Sequence, residues 1–204
     1  MNHCGTHAIE TDRLLLRPLT VDDAQTMFEN WAGDEDVTRF LRWDAHRNWT
    51  VTYEYLYHLE QDYQNPRCYE WGIVQKSTGI LMGSIGIQPS PPDPEWATIG
   101  YTDKEFWSVG YVLGAKWWNQ GYATEALRAV CEYWFDNTGS ELLVAYHHCE
   151  NAASGRVLSK VGFILDHAAI IARYDGTPVD CDGYFLDRMD FLRPRGVRAI
   201  YEDE

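Results

Sequence analysis

The residues from Gly114 to Leu127, GAKWWNQGYATEAL, place small side chains at the start of a helix in a way that suits phosphate binding. A helix beginning near Gly121 leaves several backbone N–H groups without intrahelical acceptors, and its aligned peptide dipoles favour an anion there. Gly121 and Ala123 would let a pyrophosphate approach the backbone nitrogens, and Thr124 adds a hydroxyl donor. The stretch predicts an anion site, although a plain helix start after an irregular turn remains the alternative.

Histidines and carboxylates supply candidates for proton transfer. His147 and His148 end the segment LLVAYHH, which has the pattern of a strand and directs one of the two to each face of a sheet. Histidine titrates near neutral pH, so His147 is a candidate general base, with a surface or packing role as the alternative. Glu70 and Glu105 are rival carboxylates for that role.

The elements that must position these residues follow from apolar periodicity and turn signals. Helices are expected at residues 20–32, 34–41, 50–63, 123–137 and 151–162. Strands are expected at residues 13–18, 69–75, 80–88, 97–103, 107–114, 142–148, 163–173 and 184–192. This mixed order predicts one α/β or α+β domain over residues 1–204, with 1–8 as a flexible N-terminal tail and 193–204 as a C-terminal tail.

Composition narrows the class of partner. The 17 basic and 31 acidic residues give a formal charge of −14, which disfavours nucleic acid and anionic membranes. The acidity could serve solubility alone or could suit a cationic substrate. The five cysteines form no CxxC pair, and His3, Cys4 and His7 lack a fourth ligand, so we expect reduced thiols and no metal. With no signal-peptide pattern and no apolar run of membrane-spanning length, we expect a cytoplasmic protein.

Two motifs carry a resemblance to a known family. The strand VGYVLG, followed by W-x-x-G-Y-A-T-E-A, resembles the acetyl-CoA binding motif of the GNAT acyltransferases. The segment ENAASGRVLSKVGF, residues 150–163, resembles a second signature, N-x-x-S with a K-x-G-F ending, and IETDRLLLRPLTVDDA resembles the N-terminal segment. The resemblance spans residues 9–192 and points to the branch close to the ribosomal-protein alanine and serine N-acetyltransferases.

That resemblance implies a mixed, mostly antiparallel central sheet with flanking helices. Two parallel strands, 109–113 and 142–147, would splay apart and admit the pantetheine arm of acetyl-CoA. The backbone groups of Val112 and Leu113 would bond to the cofactor amides, and Asn151 would contact the pantetheine as well as cap a helix. The pyrophosphate would be held by Trp118, Asn119, Gln120, Gly121, Tyr122, Ala123 and Thr124.

The charge and chemistry of the site depart from the family pattern in two places. Trp118 stands where the wider superfamily has a basic residue, so Arg156 or Lys160 is expected to help neutralise the diphosphate.

Ser154 is similar to the serine proposed in this branch to protonate or hydrogen-bond the leaving sulfur, with a local backbone bond as its alternative. Many members carry a glutamate two residues before the Gly-Tyr of the cofactor strand, whereas this chain has Ser108. The base therefore stays open among His147, Glu70 and Glu105.

The expected function is transfer of an acetyl group from acetyl-CoA to a primary amine by direct attack in a ternary complex. The acceptor would be a peptide N-terminus or a small cationic amine, and the proline-rich segment 89–95 could shape its site. The alternatives are a non-catalytic acyl-CoA-binding or sensing protein and an unrelated nucleotide-binding domain, although no Rossmann or Walker motif is present. A monomer and a homodimer are equally compatible with the sequence.

Overall fold

The central element of the molecule is one mixed β-sheet. A computed structural model describes residues 1–90, 94–99 and 105–193. Its eight strands have the order β1-β2-β3-β4-β5-β6-β8-β7. They are β1 Ile9–Glu10, β2 Leu14–Arg17, β3 Tyr69–Gln75, β4 Leu81–Pro89, β5 Trp107–Leu113, β6 Leu142–His148, β7 Ile164–Ala172 and β8 Pro178–Asp187. Neighbouring strands are antiparallel except β5 and β6, which are parallel, so the expected mixed and mostly antiparallel sheet is confirmed.

Helices flank both faces of this sheet. They are α1 Ala24–Met27, α2 Glu35–Thr38, α3 Trp49–Asp62, α4 Tyr122–Thr138, α5 Ala152–Val161 and α6 Arg188–Leu192. A 3₁₀ turn at Val21–Asp23 and a π turn at Phe28–Ala32 extend α1 at its two ends, so the helix expected at 20–32 is a continuous but irregular helical segment. Asn151 caps α5, as the sequence predicts, and Gly139 in a left-handed conformation ends α4.

Apolar side chains divide between the two faces of the sheet. Trp71, Trp107 and Trp134 belong to the larger core, which packs α4 and α5 against one face. Trp31 and Leu56 belong to a second core, which packs α1 and α3 against the other face. These side chains are all buried, so the sheet is closely packed on both faces and provides a rigid support for a site built on it.

The parallel pair is where the sheet opens. Only Ser108 and Val144 are matched between β5 and β6 in the described ladder, whereas β4 and β5 stay in register from Gly83–Leu113 to Pro89–Trp107. Beyond Ser108 the two parallel strands no longer pair. The expected parallel strands at 109–113 and 142–147 are therefore confirmed, and so is their separation along most of their length.

Two expected strands differ from the structure. The first half of 97–103 lies in a 3₁₀ helix, Pro94–Ile99. Pro94 has no N–H to donate to a neighbouring strand. Trp96 is buried, and its Nε1 donates to the Tyr146 hydroxyl at 3.0 Å. Residues 100–103 lie outside the described part. The strand expected at 184–192 ends at Asp187, whose carboxylate accepts from Met189 N and Asp190 N and starts α6.

The N-terminal residues pack against the sheet instead of extending as the expected tail. Gly5 is buried, and its carbonyl accepts from the Tyr133 hydroxyl at 2.7 Å. Trp71 Nε1 donates to His7 O at 2.7 Å, and Cys4 N donates to the Tyr69 hydroxyl at 3.1 Å. These bonds satisfy polar groups of large aromatic side chains, which explains why the segment is held. Of the expected C-terminal tail, 194–204 lies outside the described residues.

No helix in the described part of the chain is both long enough and apolar enough to cross a membrane.

Candidate active site

A cavity of about 460 Å³ opens where β5 and β6 part. Its walls are the C-terminal end of β5, the N-terminal turns of α4 and α5, and residues around α2. Most of the expected cofactor residues line it: Val112, Leu113, Trp118, Asn119, Gly121, Tyr122, Ala123, Thr124, Asn151, Ser154 and Lys160. The structure thus brings together in one cavity segments that are about thirty residues apart in the chain.

The start of α4 presents unpaired amides to this cavity. Gly121 precedes the helix with φ 81°, a left-handed conformation that glycine adopts without strain. The first α-helical bond runs from Glu125 N to Gly121 O at 3.1 Å, so the N–H groups of Tyr122, Ala123 and Thr124 have no intrahelical acceptor. This geometry fits an anion, as the sequence predicts.

The outer side of the same turn is braced by Arg13 and Glu125. Arg13 Nε lies 2.6 Å from Glu125 Oε2, and Arg13 Nη1 donates to Gln120 O at 3.0 Å. The guanidinium also stacks on the Tyr122 ring at 4.4 Å. Sequence analysis missed this brace, because RLLLRP and the α4 motif are over a hundred residues apart and only the fold joins them.

Gln120 contributes to the turn and not to the cavity wall. Its side-chain Nε2 donates to Lys116 O at 2.8 Å, and its carbonyl accepts from Arg13. Gln120 is absent from the residues that line the cavity. The expected contact from Gln120 to a diphosphate is therefore replaced by a role in holding the loop.

The ladder corrects the expectation for Val112. Gly114 N donates to Met82 O at 2.9 Å, so these two residues form a hydrogen-bonded pair between β5 and β4. Hydrogen-bonded and non-hydrogen-bonded pairs alternate along antiparallel strands, so the next hydrogen-bonded pair is Val112 with Ser84. The N–H and C=O of Val112 are thus used by β4. The groups that face the opening toward β6 belong to Tyr111 and Leu113. Only the Leu113 half of the expected backbone contact remains available.

Trp118 closes part of that opening. Its indole Nε1 donates to Leu113 O at 2.7 Å, which ties the loop before α4 to the end of β5. The Leu113 carbonyl is therefore already bonded, while its N–H still faces the opening. Trp118 is 42% exposed, so its ring also offers a face to a bound molecule.

The first turn of α5 carries a hydroxyl pair. Ser154 Oγ lies 2.9 Å from the Tyr111 hydroxyl, which also donates to Ser154 O at 3.1 Å. Asn151 Oδ1 accepts from Ser154 N at 3.3 Å, and both side chains line the cavity. Burial raises the pKa of the Tyr111 hydroxyl, so it stays protonated at neutral pH. The sequence did not identify Tyr111 as a site residue, because its contact with Ser154 depends on how α5 packs against β5.

His147 is not placed to serve as the base. Its side chain is 6% exposed and lies under α5, with Nδ1 bonded to His148 O at 2.7 Å and Nε2 3.3 Å from the Tyr184 hydroxyl. It lines a second cavity of about 480 Å³ with Cys149, Asp182 and Tyr184, and this cavity shares Arg156 and Lys160 with the first. The expectation for His147 fails because pairing of β6 with β8 turns this residue toward α5 and not toward the opening.

The two rival carboxylates have opposite surroundings. Glu105 is exposed and paired with Arg67, whose hydrogen bond lowers the pKa of that carboxyl. Burial raises the pKa of Glu70 to about 7, and a hydrogen bond with Ser84 opposes that rise. Among the residues that the structure describes, none forms an ion pair with Glu70.

Basic side chains border the cavity on both sides. Lys160 and Arg156 of α5 line it, as expected for residues that neutralise a diphosphate. Arg39 lines the opposite wall with Val37, Phe40 and Leu41, and the Phe40 ring packs 5.2 Å from His148. Sequence analysis missed this wall, since a short segment after α2 carries no motif. Among the described residues, no cluster of His, Cys, Asp and Glu could hold a metal ion.

Comparisons with known proteins agree with this architecture. A family profile described as the acetyltransferase (GNAT) domain matches residues 13–164. An uncharacterised N-acetyltransferase of Bacillus subtilis strain 168, YoaA, is 30% identical over 181 residues, which cover 87% of this chain and 95% of that protein.

Solved structures share the fold at lower identity. A GNAT-family acetyltransferase from Bacillus anthracis superposes with a TM-score of 0.70 at 22% identity, covering 89% of this chain and 98% of that one. RimL, a ribosomal L7/L12 alpha-N-protein acetyltransferase in complex with coenzyme A, gives a TM-score of 0.71 at 16% identity, again covering 89% and 98%. The profile match, the 30% identical relative and the opened parallel pair converge on one conclusion: the chain belongs to the GNAT family of acetyltransferases, enzymes that use acetyl-CoA as acetyl donor.

Proposed function

We propose that this protein transfers the acetyl group of acetyl-CoA to a primary amine, on a peptide N-terminus or a small cationic molecule, by direct attack while both substrates are bound. The observation that carries the proposal is one continuous cavity. It runs from the free amides of α4, past the Leu113 N–H in the opening of the sheet, to the hydroxyls of Ser154 and Tyr111.

The residues present fit the parts of acetyl-CoA. Tyr122, Ala123 and Thr124 offer backbone N–H donors for the diphosphate, with Lys160 and Arg156 as nearby cations. For the pantetheine amides, the Leu113 N–H and the Asn151 side chain are the candidate partners. When bound, acetyl-CoA supplies an activated thioester.

Ser154 and Tyr111 are proposed to serve the leaving group. A departing thiolate needs a hydrogen-bond donor or a proton, and general-acid catalysis requires only hydrogen-bond reach. The Ser154 Oγ–H can turn toward sulfur when the Tyr111 hydroxyl, 2.9 Å away, donates its single proton to Ser154 Oγ in place of the Ser154 carbonyl. Tyr111 is a positioning residue in this scheme, since it acts through Ser154.

The choice of acceptor rests on charge. The formal charge of −14 favours cationic molecules near the surface, and amines are cations at neutral pH. RimL is named for action on a protein alpha-amino group, which supports including peptide N-termini among the acceptors. A suitable panel is spermidine and short peptides that begin with Ala, Ser or Met.

Two measurements test the function. Acetyl-CoA should raise the melting temperature, whereas ATP and NAD at the same concentration should not, because only a ligand that fits the native state stabilises it. Free CoA thiol should then be released in proportion to acetylated amine for at least one member of the panel. Acetyl-CoA binding without turnover on any amine would favour the alternative, a non-catalytic acyl-CoA-binding protein, and absence of binding would reject both.

A further inference from the structure

The sheet carries a row of small residues that leads from the opening to a carboxylate. Glu70 on β3 is matched with Gly86 on β4, and Gly86 is matched with Gly110 on β5. Because these residues are in register, they lie side by side across three strands and face the α3 side of the sheet. Gly110 is two residues beyond Ser108, the last residue of β5 that is matched with β6, so it stands where the two parallel strands part.

The Glu70 carboxylate reaches along this row. A Cβ atom added to Gly86 would lie 1.8 Å from Glu70 Oε2, so the carboxylate occupies the space directly above that glycine. Neighbouring strands are about 4.8 Å apart, which brings the carboxylate within about one strand spacing of Gly110. Gly110 is exposed, and nothing lies within 4 Å of the place where its Cβ would be. There is room for an amine between the carboxylate and the opening.

We propose that Glu70 is the general base, which accepts the proton of the acceptor ammonium above Gly110. This inference rests on the proposed function. An N–H bond of the ammonium breaks, an O–H bond forms on Glu70, and the neutral amine keeps the electron pair that attacks the thioester carbonyl. Glu70 thereby takes the role for which the family resemblance suggested a glutamate at position 108, where this chain has serine.

The surroundings of Glu70 favour proton exchange near neutral pH. The groups facing it in the described residues are Ser84, Tyr55, Tyr63 and Cys68. Burial raises the pKa of Cys68 to about 11 and raises the pKa of both tyrosines, so all three are neutral at pH 7 and bring no charge to the carboxylate. The carboxylate is therefore destabilised by burial, which raises its pKa to about 7, and an incoming cation would find an acceptor matched to the working pH.

The test uses Glu70→Gln with the best acceptor from the amine panel. The variant should bind acetyl-CoA with a Kd within about twofold of wild type, while kcat/KM at pH 7 falls about 100-fold or more, the lower end of the range for acid–base catalysis. The wild-type rise of kcat/KM with pH around 7 should be absent from the variant. Glu105→Gln, the matched control on an exposed carboxylate, should leave rate and pH profile unchanged.

A relocation experiment separates catalysis from structure. Ser108 lies on the same face as Gly110, two residues away and matched with Gln88, so Ser108→Glu in the Glu70→Gln background places a carboxylate on that face beside the row and should recover at least tenfold in kcat/KM. Glu70→Gln with wild-type kcat/KM and an intact pH dependence would overturn the role of Glu70 while leaving acetyl transfer standing. A wild-type protein that binds no acetyl-CoA would remove the proposed function and, with it, this inference.

Discussion

At the scale of single residues, the site depends on groups whose chemistry is set by partners distant in the chain. Ser154 is an ordinary first-turn serine until β5 brings the Tyr111 hydroxyl within 2.9 Å of it. Glu70 is an ordinary strand residue until Gly86 leaves space for its carboxylate. Each role can be tested by removing a few atoms.

The hydroxyl pair predicts coupled losses. Ser154→Ala should retain acetyl-CoA affinity while kcat falls about 100-fold, because it removes a proton donor. Tyr111→Phe should lower kcat roughly fivefold, the loss expected for one hydrogen bond of about 1 kcal/mol. The double variant should be no slower than Ser154→Ala, since Tyr111 acts only through Ser154. Steady-state kinetics with Tyr57→Phe, an exposed tyrosine, as control checks this, and independent multiplicative losses would refute the coupling.

Glu70 also predicts a stability change with a definite pH dependence. Its folded-state pKa, about 7, lies above the ordinary value of 4.5, so the native state binds more protons than the unfolded state between these values. The contribution of Glu70 to the free energy of unfolding should therefore fall as pH rises from 4.5 to 7, by up to about 1.4 kcal/mol for each unit of pKa difference. Glu70→Gln removes this penalty, so its gain in melting temperature should be larger at pH 8 than at pH 4.5.

Glu105→Gln is the control for that measurement, because its carboxyl has a lowered pKa and contributes in the opposite sense. A melting-temperature difference between Glu70→Gln and wild type that stays constant from pH 4.5 to 8 would show that Glu70 titrates normally.

At the scale of elements, α4 offers an internal comparison, since left-handed glycines flank both of its ends. Gly121 has φ 81° and Gly139 has φ 67°, but only Gly121 borders the cavity. One end is therefore available for a ligand, and the other only terminates the helix.

Replacing each glycine separates strain from binding. Gly121→Ala and Gly139→Ala should each lower the free energy of unfolding by about 1 kcal/mol, because a side chain disfavours positive φ. Only Gly121→Ala should also weaken acetyl-CoA binding, and Gly121→Glu should abolish it through bulk and like charge. Denaturant unfolding and calorimetric titration measure the two effects, and equal affinities in Gly121→Glu and Gly139→Ala would exclude the diphosphate site.

At the scale of the whole molecule, the sheet determines which residues meet. Helices, caps and most strands could be predicted because they depend on local periodicity, and the two motifs placed the α4 and α5 turns correctly. The pairing of strands is non-local, so the sequence could not tell that Val112 is bonded to Ser84 while Leu113 faces the opening. For the same reason it could not place His147 beneath α5 or Glu70 beside Gly86.

The central claim is that α4 and the opening of the sheet hold acetyl-CoA for transfer, and a crystal structure of the protein with CoA tests it most directly. We expect diphosphate oxygens within hydrogen-bond distance of the amides of Tyr122, Ala123 and Thr124, and the thiol sulfur next to Ser154 Oγ. Electron density for the diphosphate elsewhere on the surface, or for a thiol arm that does not enter between β5 and β6, would contradict the account.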